Sequence, residues 1–213
     1  MLYARTVKID GRDVLVNEDQ MVSYREHLIQ KHRVLFLSGA LGLRCLTCGC
    51  GEAEAHNSLM ALDTLSHDPI RIFITSPGGD LDSIFLFYDT MRLIKSPIET
   101  IGRYCASGAA ILLAAGNKRY LLPHAKVMLH LPSGVMQGDT KDWDIQHQQM
   151  EKYKSKIVDV LCECGVKKSR AEILNDIDRD FWLEPKEAIE YGLADEIMTS
   201  EIWGDWIRPK EIG

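Results

Sequence analysis

The spacing of apolar residues changes from block to block along this chain, and each spacing predicts a different element. Val34–Leu37 (VLFL) and Ile70–Thr75 (IRIFIT) are short β-branched, aliphatic or aromatic runs followed by small or turn-forming residues, which predicts strands. Ser76-Pro77-Gly78-Gly79 then makes a turn, and from Asp80 the apolar positions Ile84, Phe87, Met91 and Ile94 recur at helical spacing. Ile98–Ile101 supplies another strand. Strand, Gly-rich turn, amphipathic helix and strand form the βαβ rhythm of an α/β fold with a largely parallel sheet.

Gly108 to Ala115 (GAAILLAA) is apolar on every face and rich in helix formers, which predicts a helix buried all round and stopped by Gly116. Lys126–Leu131 (KVMLHL) is strand-like and leads through Pro132-Ser133-Gly134 into a polar segment ending at Gly138. A long helix follows, with Asp139 as its cap and Trp143, Met150, Tyr153, Ile157 and Leu161 on one stripe. Cys162, Cys164 and Gly165 mark its end. Ser169-Arg170-Ala171-Glu172 has capping-box spacing and opens a short helix. Pro185 and Gly192 bracket another over Lys186–Tyr191.

A chain of 213 residues, 46% hydrophobic, suits one α/β domain. The net charge of −6 and pI near 5.6 lack the basic footprint of a nucleic-acid or anionic-membrane binder, so a polypeptide or small-molecule substrate is expected. The N-terminus breaks every apolar run with charge and carries no signal-peptide core. No run approaches the ~18 apolar residues of a membrane span. These features predict a cytoplasmic protein, and its six cysteines are then expected as reduced thiols.

The buried helix is where a nucleophile would gain most. Ser107 stands at its start, where free backbone N–H groups can stabilise an oxyanion, although serine there is also a preferred N-cap. His130 closes a later strand between Leu129 and Leu131; a histidine among apolar neighbours is more often a hydrogen-bonded core residue than a catalyst, so alone it proves little. A carboxylate is needed to orient the imidazole, and spacing leaves Asp176, Asp178 and Asp180 open.

Four blocks in order resemble the proteolytic subunit of the ATP-dependent Clp protease, the ClpP family. They are Ser76-Pro77-Gly78-Gly79 with Tyr88-Asp89-Thr90-Met91; Ala106-Ser107 leading into Leu112-Leu113-Ala114-Ala115-Gly116; Leu122-Pro123 leading into Met128-Leu129-His130 and Pro132; and Arg179-Asp180 leading into Glu187-Ala188, Glu190-Tyr191-Gly192-Leu193 and Asp195. The resemblance implies a ClpP/crotonase-like spiral of βαβ units with a protruding handle helix. It puts the nucleophile at Ser107, the general base at His130 and the orienting acid at Asp180, with oxyanion-hole amides at Gly79 and Gly108 and no cofactor. Arg179 matches an arginine that couples the site to ring pairing, and residues 131–161 match the handle between two stacked heptameric rings of a homo-oligomer. Unfolded polypeptide delivered by an AAA+ unfoldase is the implied substrate, and Phe73 matches an aromatic position of the docking cleft.

The whole chain, 1–213, then reads as a single peptidase domain, with 1–33 as the axial entrance segment. Residues 41–56 have no counterpart in the family; Cys45, Cys48, Cys50 and His56 could ligate zinc, but a loop of reduced thiols is the plainer expectation. Gly108 also replaces the bulkier residue that often follows the nucleophile. Two other readings compete: a ring subunit without activity, and a peptidase of the same superfamily that needs no unfoldase.

Overall fold

The computed structural model describes residues 5–9, 12–16, 31–42, 52–135 and 137–207. The chain divides into two compact units, Met1–Val34 and Leu35–Gly213. In the first, β1 (Arg5–Ile9) and β2 (Arg12–Val16) form an antiparallel hairpin with Val7 opposite Val14. The pattern of apolar positions does not predict it.

The second unit is built on a six-stranded sheet of β3 (Val34–Ser38), β4 (Ile70–Ser76), β5 (Ile98–Ala106), β6 (Lys118–Leu129) and β7 (Phe181–Leu183), with β8 (Glu196–Ile197) also paired to β6. The pairs β4–β5, β5–β6 and β6–β8 are parallel, and β6–β7 is antiparallel. The predicted strands are therefore present, but two run beyond their sequence bounds. β5 continues past Ile101 to Ala106, and β6 begins at Lys118 and passes through Pro123, because pairing with β5 shifts register between Gly102 and Tyr104 and so accommodates the irregularity. β6 also ends at Leu129, which leaves His130 just outside the ladder.

Helix α1 (Glu52–Leu65) precedes β4 and includes residues that the sequence suggested as loop. Its His56 shares a 3.1 Å hydrogen bond with Thr90 Oγ1 and lies edge-on to Phe87, so it packs as part of the fold. Cys45, Cys48 and Cys50 lie outside the described residues. Among the described residues no group of three or more metal-binding side chains gathers.

Helix α2 (Leu81–Leu93) buries Ile84, Phe87 and Met91, the stripe its periodicity predicts, and Asp80 caps it by accepting from the Ser83 N–H at 2.9 Å. Helix α3 (Gly108–Ala114) is buried throughout because it packs against β4, β5 and β6 on one side and α2 and the long helix α4 (Thr140–Glu163) on others. Asp139 and Asp142 form a capping box at the start of α4. Its C-terminal turns bury Ile157, Val158, Val160 and Leu161, while Trp143 and Ile145 near its start are exposed. Helices α5 (Arg170–Asp176), with its Ser169/Glu172 capping box, and α6 (Pro185–Tyr191), ended by left-handed Gly192, complete the predicted set.

Helix α7 (Ser200–Ile207) lies on the sheet beyond β8. Trp206 meets Tyr120 edge-on with ring centroids 5.1 Å apart, and Trp203 meets Phe73 at 5.9 Å. Phe73 also stacks on the half-exposed Phe36. No helix among the described residues is long and apolar enough to cross a membrane.

Candidate active site

Parallel pairing brings the first two candidate residues together. β5 and β6 run side by side with Ala106 opposite Met128, and the Ser107 N–H donates to Met128 O at 2.8 Å. Ser107 and His130 therefore leave the carboxyl ends of neighbouring strands, the edge at which α/β sheets gather their sites. His130 Nε2 lies 2.7 Å from Ser107 Oγ. With the imidazole proton on Nδ1, the serine hydroxyl donates and Nε2 accepts.

Ser107 does not act as an ordinary N-cap. Its side chain makes no capping hydrogen bond to α3, and its backbone holds φ 56° and ψ −128°, a conformation that residues with a Cβ rarely adopt. The sharp strand-to-helix turn that results points the hydroxyl at the imidazole. Cys105, two residues earlier, takes the opposite environment: burial pushes its thiol up to about 12, so it remains a neutral thiol packed in the sheet.

Gly79 and Gly108 line one open cleft with Ser107 and His130, of about 60 Å³. The turn that carries Gly79 is fixed by the buried Ser76, whose hydroxyl donates to Gly39 O at 2.6 Å and accepts from the Gly78 N–H at 3.0 Å. Leu41 holds the same turn from the other side, donating to Gly78 O at 2.8 Å and accepting from the Asp80 N–H at 3.0 Å. A Cβ on residue 79 would lie 1.9 Å from Leu41 O, so only glycine fits this approach. Among the described residues neither the Gly79 nor the Gly108 amide donates to another protein group.

The three carboxylates that spacing left open fall in different surroundings. Asp176 accepts from Tyr191 Oη at 3.1 Å, and Asp178 pairs with Arg179 at 3.2 Å. Asp180 precedes β7, where Phe181 pairs with Leu129, so continuing that antiparallel register sets Asp180 opposite His130. The Leu131 N–H to Ile177 O bond, 2.9 Å, holds the two segments together. Asp180 is exposed, and among the described residues it makes no hydrogen bond to His130. Arg179 points to solvent, its side chain 88% exposed, and donates to Asp178 O at 2.6 Å.

The family model for Clp protease matches residues 26–201. This chain belongs to the Clp protease family. It is 35% identical over 180 residues to ATP-dependent Clp protease proteolytic subunit 1 of Rhodopirellula baltica, covering 80% of this chain and 74% of that protein. It is 39% identical over 154 residues to proteolytic subunit 1 of Chlamydia muridarum, covering 70% and 80%. It is also 39% identical over 145 residues to proteolytic subunit 2 of Chlamydia trachomatis, covering 64% and 70%. These relatives identify the chain as a Clp protease subunit.

Other groups around the Clp-family cleft were not singled out in the sequence as site residues. Leu81, Ile111, Leu129 and Ile157 give it apolar walls, and Pro132 and Ser133 line it too. Ile157 belongs to the apolar stripe of the long helix, and Leu129 to the strand-like run that contains His130. Periodicity marks such residues as buried; it carries no signal that their burial borders a site.

Proposed function

We propose that this Clp protease subunit is a serine endopeptidase in which Ser107 is the nucleophile, His130 the general base and Asp180 the group that orients the imidazole. The observation that carries this reading is the 2.7 Å approach of His130 Nε2 to a serine hydroxyl that is turned away from helix capping. Ser107 Oγ attacks the peptide carbonyl carbon while its proton passes to Nε2. The carbonyl oxygen becomes an oxyanion, received by the Gly79 and Gly108 amides. Collapse breaks the C–N bond, and His130 returns the proton to the leaving amine. A water then attacks the acyl-enzyme with the same base and releases the second product.

The relatives are named as proteolytic subunits of an ATP-dependent protease, and the resemblance to the ClpP family extends the proposal to unfolded polypeptide cut in a chamber of stacked heptameric rings and fed by an AAA+ unfoldase in the cytoplasm. Residues 131–161 would pair the rings as handles, with Arg179 coupling that pairing to the site. The N-terminal segment 1–33 would line the entrance. The partly exposed aromatics Phe36 and Phe73 suit the docking of an apolar unfoldase segment.

The missing hydrogen bond between Asp180 and His130 favours one second reading, a ring subunit that assembles without cutting. Hydrolysis of a fluorogenic peptide by the purified protein and by Ser107→Ala, with oligomeric mass measured on both, tests the choice. Activity in a large assembly that disappears in Ser107→Ala, together with labelling of Ser107 by an active-site phosphonate, is the expected result. An intact assembly that neither cuts nor labels would instead support the non-cutting subunit.

A further inference from the structure

Ile84 is buried in α2, one helical turn after the cleft-lining Leu81, and does not itself border the cleft. Its side chain occupies the space beside the Gly108 Cα. A Cβ on residue 108 would stand 2.5 Å from Ile84 Cγ1 and 2.8 Å from Cδ1, so that Ile84 or the backbone would have to shift, and 3.4 Å from Ile84 Cβ. The residue after Ser107 thus has no side chain, and the neighbouring helix supplies the missing volume.

This contact joins the two halves of the cleft. Gly79 immediately precedes Asp80, the cap of α2, and Gly108 is the first residue of α3. Their amides are thus carried by the turn that enters α2 and by the first residue of α3. On one side Gly79 is held against the Leu41 main chain. On the other, the approach of α2 to the start of α3 is limited by Ile84 meeting Gly108. Donors to an oxyanion act at roughly 2.7–3.1 Å, and misplacement by about 1 Å can cost ~10²-fold in rate.

We infer that Ile84 is a positioning residue: by filling the volume of an absent side chain at 108, it sets the spacing between the Gly79 and Gly108 amides. The inference rests on the serine-peptidase reading. The pair is coupled in a definite way. Gly108→Ala alone drives a methyl into Ile84, Ile84→Ala alone leaves a void behind Gly108, and the double variant Ile84→Ala/Gly108→Ala fits the new methyl into that void.

The test is a double-mutant cycle on the assembled protein, reading kcat and KM for a fluorogenic peptide, with near-UV circular dichroism and oligomeric mass giving activity per folded subunit. Gly108→Ala is expected to lower kcat by about 10²-fold with KM changed only a few-fold, as for a displaced oxyanion donor. The double variant is expected to recover at least about 10-fold of that loss. Should Gly108→Ala fail to fold, the double variant is compared with Ile84→Ala, and a higher kcat in the double variant carries the same meaning. Losses that multiply without coupling, or a change confined to KM or to thermal stability, would overturn the role of Ile84. An inactive wild-type protein in an intact assembly would remove the peptidase reading itself, and this role with it.

Discussion

Ser107 holds φ 56° with ψ −128°, a backbone state that costs of order 1–3 kcal/mol for a residue with a Cβ. The surrounding bonds maintain it, chiefly Ser107 N–H to Met128 O and Ala110 N–H to Ser107 O. Glycine adopts this state without the Cβ penalty. Ser107→Gly and Ser107→Ala should therefore both lack hydrolysis, yet Ser107→Gly should unfold about 1 kcal/mol later in a denaturant titration. Equal stabilities would mean that the turn is not strained. On the proposed reading Asp180 acts only through His130. Asp180→Asn should then lower kcat by roughly 10²–10⁴-fold while KM and oligomeric mass stay close to wild type. A kcat within two-fold of wild type would transfer the orienting role to another group.

At the scale of elements, a single carboxylate fastens α1 to the turn between α2 and β5. Asp63 accepts from the Ser96 N–H at 2.8 Å, Ser96 Oγ at 2.7 Å and the Lys95 N–H at 3.2 Å. Burial raises its pKa, but these donors and His67 outweigh that and lower it from 3.8 to about 2. The folded value lies below the unfolded one. The stabilisation is thus fully present above pH 4 and is lost as pH falls from there towards 2. Asp63→Asn should destabilise the fold by roughly 1–3 kcal/mol at pH 7 and by much less at pH 2. Urea titrations at the two pH values check this, and an equal difference at both would exclude a charged Asp63 as the cause. Arg119 performs a comparable fastening on β6. It donates to the Gly192 carbonyl at 2.7 Å, to the Cys164 carbonyl at 3.0 Å and to Asp195, and so satisfies carbonyls at the ends of two helices.

For the whole molecule, the exposed apolar groups matter most. Val135 is 86% exposed, and Trp143 and Ile145 at the start of α4 are 49% and 58% exposed, although isolated folded chains usually bury such side chains in part. The proposed ring pairing through residues 131–161 would cover them. Trp143→Glu/Ile145→Glu should therefore lower the mass seen by light scattering, to about half if only the pairing of rings is lost, and leave the far-UV spectrum unchanged. An unaltered mass would place the ring contact elsewhere.

Much of the fold and part of the site were legible in the sequence, because both depend on local patterns. Apolar spacing sufficed for α2 and α3, the Ser169/Glu172 and Asp139 caps stood at the right offsets, and Pro185 and Gly192 bounded α6. Four short blocks of residues also sufficed for the family. The remainder depends on pairings between distant segments. The bounds of β5 and β6 were hidden because a register shift lets strand pairing override a proline. Helix α1 was hidden beside the Gly- and Cys-rich stretch that precedes it, and α7 beneath its two tryptophans. The positions of hydroxyl, imidazole and carboxylate, and the apolar faces, can be read along the chain. That Ser107 meets His130 at 2.7 Å, that Arg119 closes two helix ends, and that Ile84 fills the space beside Gly108 emerges from the folded packing. Side-chain chemistry and periodicity are properties of neighbours along the chain, whereas distances across a sheet or between helices are set by packing that no single segment contains.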